Sequence, residues 1–173
     1  MTITIGVLLK DHRSTVEEIV RATGVFSDAE VGVALELFDE GQKDDYEFVG
    51  AFIDGKLIGY ACFGPTPATD RTFDLYWIAV HPNAQRSGAG AALMGEVERQ
   101  LQRRRARLLV VETSSRDDYA GTRLFYEKRG YAESARIRDF YAPGDDRVVL
   151  SKRFGSSDPG GGGAAQSHSL AGI

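Results

Sequence analysis

The chain has 173 residues, of which 42% are hydrophobic and 27% charged, and its formal net charge is −4. That length favours one domain able to bury a core, and the mild acidity gives no electrostatic case for nucleic acid as a partner. A single cysteine, Cys62, excludes an internal disulfide, and no apolar run approaches the roughly 18 residues of a membrane span. Cys62 lies in an apolar strand pattern and reads as a core thiol. The start, MTITIGVLLKDHR, lacks the basic opening and small-residue cleavage site of a secretory signal, so the expectation is cytoplasmic.

Ile3 to Leu9 reads as a first strand. Ser14-x-x-Glu17 has the pattern of a capping box, followed by a helical stripe of Val16, Ile19 and Val20 and a stop at Gly24. Ser27-x-x-Glu30 is a second capping box, with Phe26 and Val31 as a hydrophobic staple. Val31, Ala34, Leu35 and Phe38 then share one face, and Gly41 ends that helix. Tyr46 to Ile53 and Leu57 to Phe63 are strands joined by Asp54-Gly55, a hairpin signal. Gly64-Pro65-Thr66-Pro67 breaks the pattern, and Phe73 to Val80 is the third strand of the meander, stopped by His81-Pro82. A helix from about Gly88 to Arg105 carries Leu93, Val97 and Leu101 on one side, and Arg107 to Glu112 reads as a strand covered on both faces. Thr122 to Lys128 is a short helix closed by Gly130. Tyr131 to Ile137 and Val148 to Phe154 pair around Pro143-Gly144-Asp145-Asp146. The expected fold is α+β: a mixed, mostly antiparallel twisted sheet flanked by helices, in one domain over residues 1–154. Residues 155–173, rich in Gly and Ser, read as a flexible tail.

The turn Gln85-Arg86-Ser87-Gly88-Ala89-Gly90 falls where a helix begins, just after the strand ending Ile78-Ala79-Val80. A helix start leaves N–H groups without acceptors and carries partial positive charge, so this turn suits an anion. Gln-x-x-Gly-x-Gly in that place resembles the pyrophosphate-binding motif of the GNAT superfamily of acetyl-CoA-dependent N-acetyltransferases. Downstream, Phe125-Tyr126-Glu127-Lys128-Arg129-Gly130-Tyr131 resembles that family's final helix motif. The resemblance spans roughly Tyr46 to Phe154 and implies the acyl-CoA N-acyltransferase fold, with acetyl-CoA as co-substrate and no metal.

What the resemblance implies can be set against the chemistry that acetyl transfer needs. The donor's pyrophosphate would sit on the main chain of Gln85, Arg86, Ser87, Gly88, Ala89, Gly90 and Ala91. Its pantetheine arm would bond the main chain of Ile78, Ala79 and Val80, which needs the sheet to open beyond this strand. The Ile78 N–H would stabilise the oxyanion. Tyr126 matches the tyrosine that protonates the departing thiolate, a role that suits a phenol. Lys128 follows it among the cofactor contacts. Seven residues before Tyr126, where family members often carry Asn, stands Tyr119, with Thr113, Ser114 and Ser115 nearby as alternative donors. Asp74 matches the position of a catalytic glutamate in some members; Glu112 is the competing carboxylate, and solvent a third candidate. Strand alternation puts residues 74, 76 and 78 on one face unless a bulge intervenes.

The resemblance implies a small-molecule or peptide amine as acceptor. Eight acidic residues, Asp28, Glu30, Glu36, Asp39, Glu40, Asp44, Asp45 and Glu47, against Lys43, would draw a cationic one, or form a solvated helix face. Asp139, Phe140 and Tyr141 are a candidate further wall. Arg99, Arg103, Arg104, Arg105 and Arg107 complement a helix C-terminus. Neither nucleic acid nor membrane is implied as a partner, and a homodimer is open. Two rival readings stand. One is a non-catalytic acyl-CoA-binding or regulatory module. The other is a dinucleotide-binding oxidoreductase, opposed by Leu93 at the third glycine position, the spacing from Val80 to Gly88 and the upstream hairpin.

Overall fold

The computed structural model describes residues 2–41 and 46–155. The strands are β1 (Ile3–Val7), β2 (Glu47–Ile53), β3 (Lys56–Pro65), β4 (Thr72–Val80), β5 (Leu108–Ser114), β6 (Ala132–Ala142) and β7 (Asp145–Arg153). They form one sheet in the order β1-β2-β3-β4-β5-β7-β6, antiparallel throughout except between β4 and β5. The helices are α1 (Arg13–Ala22), α2 (Asp28–Gly41), α3 (Ala89–Arg103) and α4 (Ala120–Glu127). The α+β expectation holds. The readings of residues 156–173 and of Lys43, Asp44 and Asp45 lie outside the described residues.

Local signals explain most of the elements. At the start of α2 the Ser27 N–H donates to Glu30 Oε2 (2.7 Å) and the Glu30 N–H to Ser27 Oγ (3.3 Å), the reciprocal capping box expected there. The first capping box does not form. A 3₁₀ turn over Lys10–His12 leads directly into α1 at Arg13, and His12 Nδ1 accepts from the Leu9 N–H (2.9 Å), so Ser14 is already inside the helix. Asp54 and Gly55, both at positive φ (49° and 77°), make the β2–β3 hairpin turn.

Two cores lie on the two faces of the sheet. Leu93, Met94, Val97 and Leu101 of α3 pack with Tyr126 of α4 against Val49, Ala61, Phe63, Phe73, Leu75, Leu109 and Val111. Val16, Ile19 and Val20 of α1 pack with Val31, Ala34, Leu35 and Phe38 of α2 against Leu57, Tyr60 and Ala79. Each such aliphatic side chain contributes about 1.5–3 kcal/mol on burial. The expectation that β5 is covered on both faces needs correction. Leu109 and Val111 are buried, but Leu108 and Val110 are half-buried and Glu112 is exposed. The cause is that α1 packs over β3 and β4. The β6–β7 hairpin is longer than expected and irregular. Its ladder jumps from Ile137 opposite Arg147 to Ala142 opposite Asp145, so residues 138–141 of β6 form a wide irregularity in the register, with Asp139 at φ 51°.

Candidate active site

The sheet opens between β4 and β5. Thr72–Leu75 pair with Leu108–Val111, and there the parallel ladder ends. Beyond Leu75, β4 runs on to Val80 while β5 continues along β7 to Ser114. The edge of β4 from Tyr76 onward therefore has no strand beside it on the β5 side. The β3 ladder fixes which groups face that gap. The His81 N–H donates to Ile58 O (2.8 Å), so the pairs of the antiparallel ladder alternate from there. Ala79, opposite Tyr60, spends its N–H and C=O on β3. Ile78, opposite Ala61, and Val80, opposite Gly59, direct theirs away from β3 and into the opening.

A bulge changes which side chains share a face. Leu75 stands opposite Phe63 and Trp77 opposite Cys62, leaving Tyr76 unmatched. Before the bulge, Phe73 and Leu75 belong to the α3–α4 core; after it, Ile78 and Val80 pack there, while Trp77 and Ala79 join the α1–α2 core. Residues 74, 76 and 78 do not line one face as simple alternation suggested. Asp74 lies on the α1–α2 face and the Ile78 side chain on the other.

On the α1–α2 face, at the mouth of the opening, a cavity of about 230 Å³ is lined by Asp74, Leu75, Tyr76, Val110 and Glu112. Both carboxylates weighed as the base thus border one space. Glu112 is ion-paired to Arg147, whose guanidinium lies over the Phe140 ring at 5.0 Å. Asp74 Oδ2 accepts from Thr66 Oγ1 at 2.6 Å, and Oδ1 has no hydrogen-bond partner among the described residues. The Tyr76 phenol, edge-on to Tyr46 at 4.9 Å, is pushed up to about 12 by burial and by the charge of Asp74. It remains a proton donor beside the carboxylate.

On the other side lies the turn into α3. Gly88 precedes the helix at φ 94°, a conformation that suits glycine, and Arg86 is also left-handed at φ 64°. Ser87 Oγ donates to Ala84 O (2.6 Å) and accepts from the Ala89 N–H (3.3 Å). The Ala92 N–H donates to Gly88 O (2.9 Å). Among the described residues, the N–H groups of Arg86, Gly88, Gly90 and Ala91 have no acceptor. Gln85 and Arg86 are exposed. Gly90 has a further role: a Cβ there would lie 3.3 Å from the Phe125 ring and 3.9 Å from Val80 Cγ2. Its missing side chain lets α4 approach α3.

Tyr126 of α4 is buried, edge-on to Phe125 (5.3 Å) and Tyr131 (5.5 Å). Burial pushes its phenol up, which keeps it protonated. Tyr119, half-buried at the end of a 3₁₀ turn, lies 5.3 Å from the Arg116 guanidinium. Of the hydroxyls near it, Ser114 Oγ donates to buried Asp145 and accepts from the Arg116 N–H (3.1 Å), and Ser115 Oγ accepts from the Asp146 N–H (2.7 Å). Thr113 Oγ1 is buried without a partner. Lys128 is exposed just beyond α4.

The acidic stretch is largely committed. Asp28 pairs with Arg21, Asp39 with Arg13 and Glu47 with Arg104, while Glu30 caps α2. Glu36 and Glu40 remain exposed. The arginine cluster is paired in part, Arg99 with Glu96 and Arg107 with Asp70. Sequence reading missed Thr66, Tyr76 and Arg147 as neighbours of Asp74 and Glu112. A signal existed for Thr66: pairing the strands on either side of the Gly64–Pro67 break brings the residue after Pro65 beside the first turns of β4. Among the described residues, no group of three or more His, Cys, Asp or Glu could hold a metal ion, and no helix is long and apolar enough to cross a membrane.

Comparisons with known proteins agree with this geometry. A family profile, the acetyltransferase (GNAT) family, matches residues 14–131. A search of curated proteins found no match. Among solved structures, a candidate GNAT acetyltransferase from Desulfovibrio desulfuricans is 42% identical, covers 88% of this chain and 99% of its own, and superposes with a TM-score of 0.83. Two more distant structures share the fold. The ribosomal-protein-S18-alanine N-acetyltransferase of Escherichia coli has 21% identity, 91% and 97% coverage and a TM-score of 0.77. The PaiA N-acetyltransferase of Thermoplasma acidophilum, in complex with coenzyme A, has 19% identity, 89% and 100% coverage and a TM-score of 0.68. With the family profile spanning most of the domain and the opened sheet in place, the chain belongs to the GNAT acetyltransferase family.

Proposed function

We propose that the protein moves an acetyl group from acetyl-CoA to a primary amine by direct attack in a ternary complex. The observation that carries this reading is the parting of β4 from β5, which turns the main-chain groups of Ile78 and Val80 into a gap that ends at the start of α3. The residues fit the donor. The N–H groups of Arg86, Gly88, Gly90 and Ala91, without acceptors among the described residues, suit its phosphates, and the free β4 edge suits the amides of an extended arm. Acetyl-CoA supplies the activated thioester when bound. The Ile78 N–H stabilises negative charge growing on the acyl oxygen. Asp74, directly or through one water, takes a proton from the arriving ammonium so that the neutral amine attacks, and Tyr126 gives a proton to the departing sulfur and regains one from the acylated nitrogen. One N–C bond forms as one C–S bond breaks. Thr113 and Tyr119 are the uncommitted hydroxyls for the contacts an asparagine makes elsewhere in the family; Lys128 and Ala79 carry no part of this reading.

The acceptor side is the cavity of Asp74, Tyr76 and Glu112, open to a small-molecule or peptide amine. The relatives include an enzyme named for an alanine of ribosomal protein S18 and an aminoglycoside 6′-N-acetyltransferase. An acceptor panel therefore contains an alanine-initiated peptide, an aminoglycoside, spermidine, ethylamine and trifluoroethylamine. Acetyl-CoA should raise the melting temperature, NAD(H) should not, and at least one amine should release free thiol. Stabilisation by NAD(H) alone overturns the reading. Acetyl-CoA binding without turnover on any amine leaves a binding module in its place.

A further inference from the structure

Thr66 lies in the β3–β4 connection between Pro65 and Pro67. Its N–H donates to Thr72 O (2.9 Å) and its carbonyl accepts from Thr69 Oγ1 (2.7 Å), so its main chain is tied on both sides. The flanking prolines have fixed φ, and threonine is stiff at χ1, so the hydroxyl has little freedom of direction. Asp74 stands opposite Gly64 in the ladder, and Gly64 brings no side chain against the carboxylate. The Thr66 hydroxyl reaches Asp74 Oδ2 at 2.6 Å instead. A hydroxyl has a single proton to donate, so this bond engages one carboxylate oxygen and leaves the other.

We propose that Thr66 is a positioning residue for amine deprotonation: its hydroxyl holds Asp74 Oδ2, so that Oδ1 is presented to the cavity shared with Tyr76 and Glu112. The inference rests on the reading of Asp74 as the base. Thr66 touches no reacting atom; it acts through the orientation of the carboxylate. Its effect is confined to acceptors that arrive protonated. An acceptor that is already a neutral amine gains nothing from an aligned base.

Ethylamine and trifluoroethylamine supply that contrast, because they are close in size and only the first is mostly an ammonium ion near neutral pH. Thr66→Val should lower kcat for ethylamine roughly tenfold, the scale of one lost hydrogen bond to a charged group. It should leave kcat for trifluoroethylamine and the Kd for acetyl-CoA within about twofold, since neither uses the base. Thr66→Ser should restore the ethylamine rate. In an Asp74→Asn background, Thr66→Val should have no further effect. Equal losses on the two amines, or an undiminished loss in the Asp74→Asn background, overturn the role of Thr66 and leave Asp74 as the base. An Asp74→Asn protein as fast as the parent on ethylamine removes Asp74 from the mechanism, and Thr66 with it.

Discussion

Tyr126 is the residue whose environment argues most directly for a single chemical role. Its ring is packed between Phe125 and Tyr131, and burial favours the neutral phenol. Tyr126→Phe keeps that packing and deletes one oxygen. It should lower kcat by about 100-fold, the lower range for a lost general acid, with acetyl-CoA affinity unchanged by calorimetry. An unaltered kcat under conditions where chemistry limits turnover would remove it from the mechanism. The two carboxylates can be separated in the same assay. Asp74→Asn should remove the acidic limb of the pH–rate profile, whereas Glu112→Gln should mainly disturb Arg147, its ion-pair partner. The reverse outcome hands the base role to Glu112.

At the scale of elements, the turn into α3 holds two glycines with different tasks. Gly88 sits at φ 94°, where a Cβ would meet only Ile3 Cδ1 at an ordinary 4.0 Å, so alanine there is strained in backbone alone, at a cost of about 1 kcal/mol or more. Gly88→Ala should lower both the melting temperature and acetyl-CoA affinity, because the turn itself is reshaped. Gly90 lies inside the helix, where alanine gains up to about 1 kcal/mol of propensity but its Cβ presses on Phe125 at 3.3 Å. Gly90→Ala should leave the melting temperature of the free protein nearly unchanged. Scans with and without acetyl-CoA separate the two variants. This scale also marks what the sequence could convey. The Asp54-Gly55 hairpin, the Ser27–Glu30 cap and the α3 stripe were legible because each depends on a few neighbouring residues. The Tyr76 bulge was not, and the parting of β4 from β5 was expected only from the family resemblance, because both arise from the pairing of strands distant in sequence. The separation of the Ile78 side chain from the face of Asp74 followed from the bulge, and so it could not be read from alternation.

The molecule as a whole should be sensitive to alkali. Tyr60, Tyr126 and Tyr131 are buried and their phenols are pushed up by that burial, as is Tyr76, to about 12. An unfolded tyrosine ionises near about pH 10. Below that value both states keep the proton and the full stability is present. Above it the unfolded chain loses protons that the folded chain retains, so stability falls as pH rises through the folded values. Denaturant midpoints should therefore decline from about pH 10 upward, with the tyrosinate absorbance of these buried phenols rising in one step with unfolding. Stepwise ionisation of a still-folded protein would mean that these phenols are reached by solvent without loss of structure. Both cores contribute, since Tyr60 lies under α1 and α2, and Tyr126 and Tyr131 lie beside α3.

The single unmatched residue on β4 acts on the strand much as an inserted base acts on a reading frame. Upstream of Tyr76, odd-numbered side chains enter the α3–α4 core; downstream, even-numbered ones do. Deleting Tyr76 would restore one uninterrupted alternation with every remaining side chain on its present face, whereas flattening the bulge with Tyr76 kept in the ladder would turn the apolar residues after it to the wrong layer. No single further substitution repairs that, because every later position changes meaning at once. The same frameshift puts Asp74 on the α1–α2 face and the Ile78 and Val80 side chains in the α3–α4 core. The placement of the β4 side chains thus depends on the bulge at Tyr76 rather than on the length of the strand.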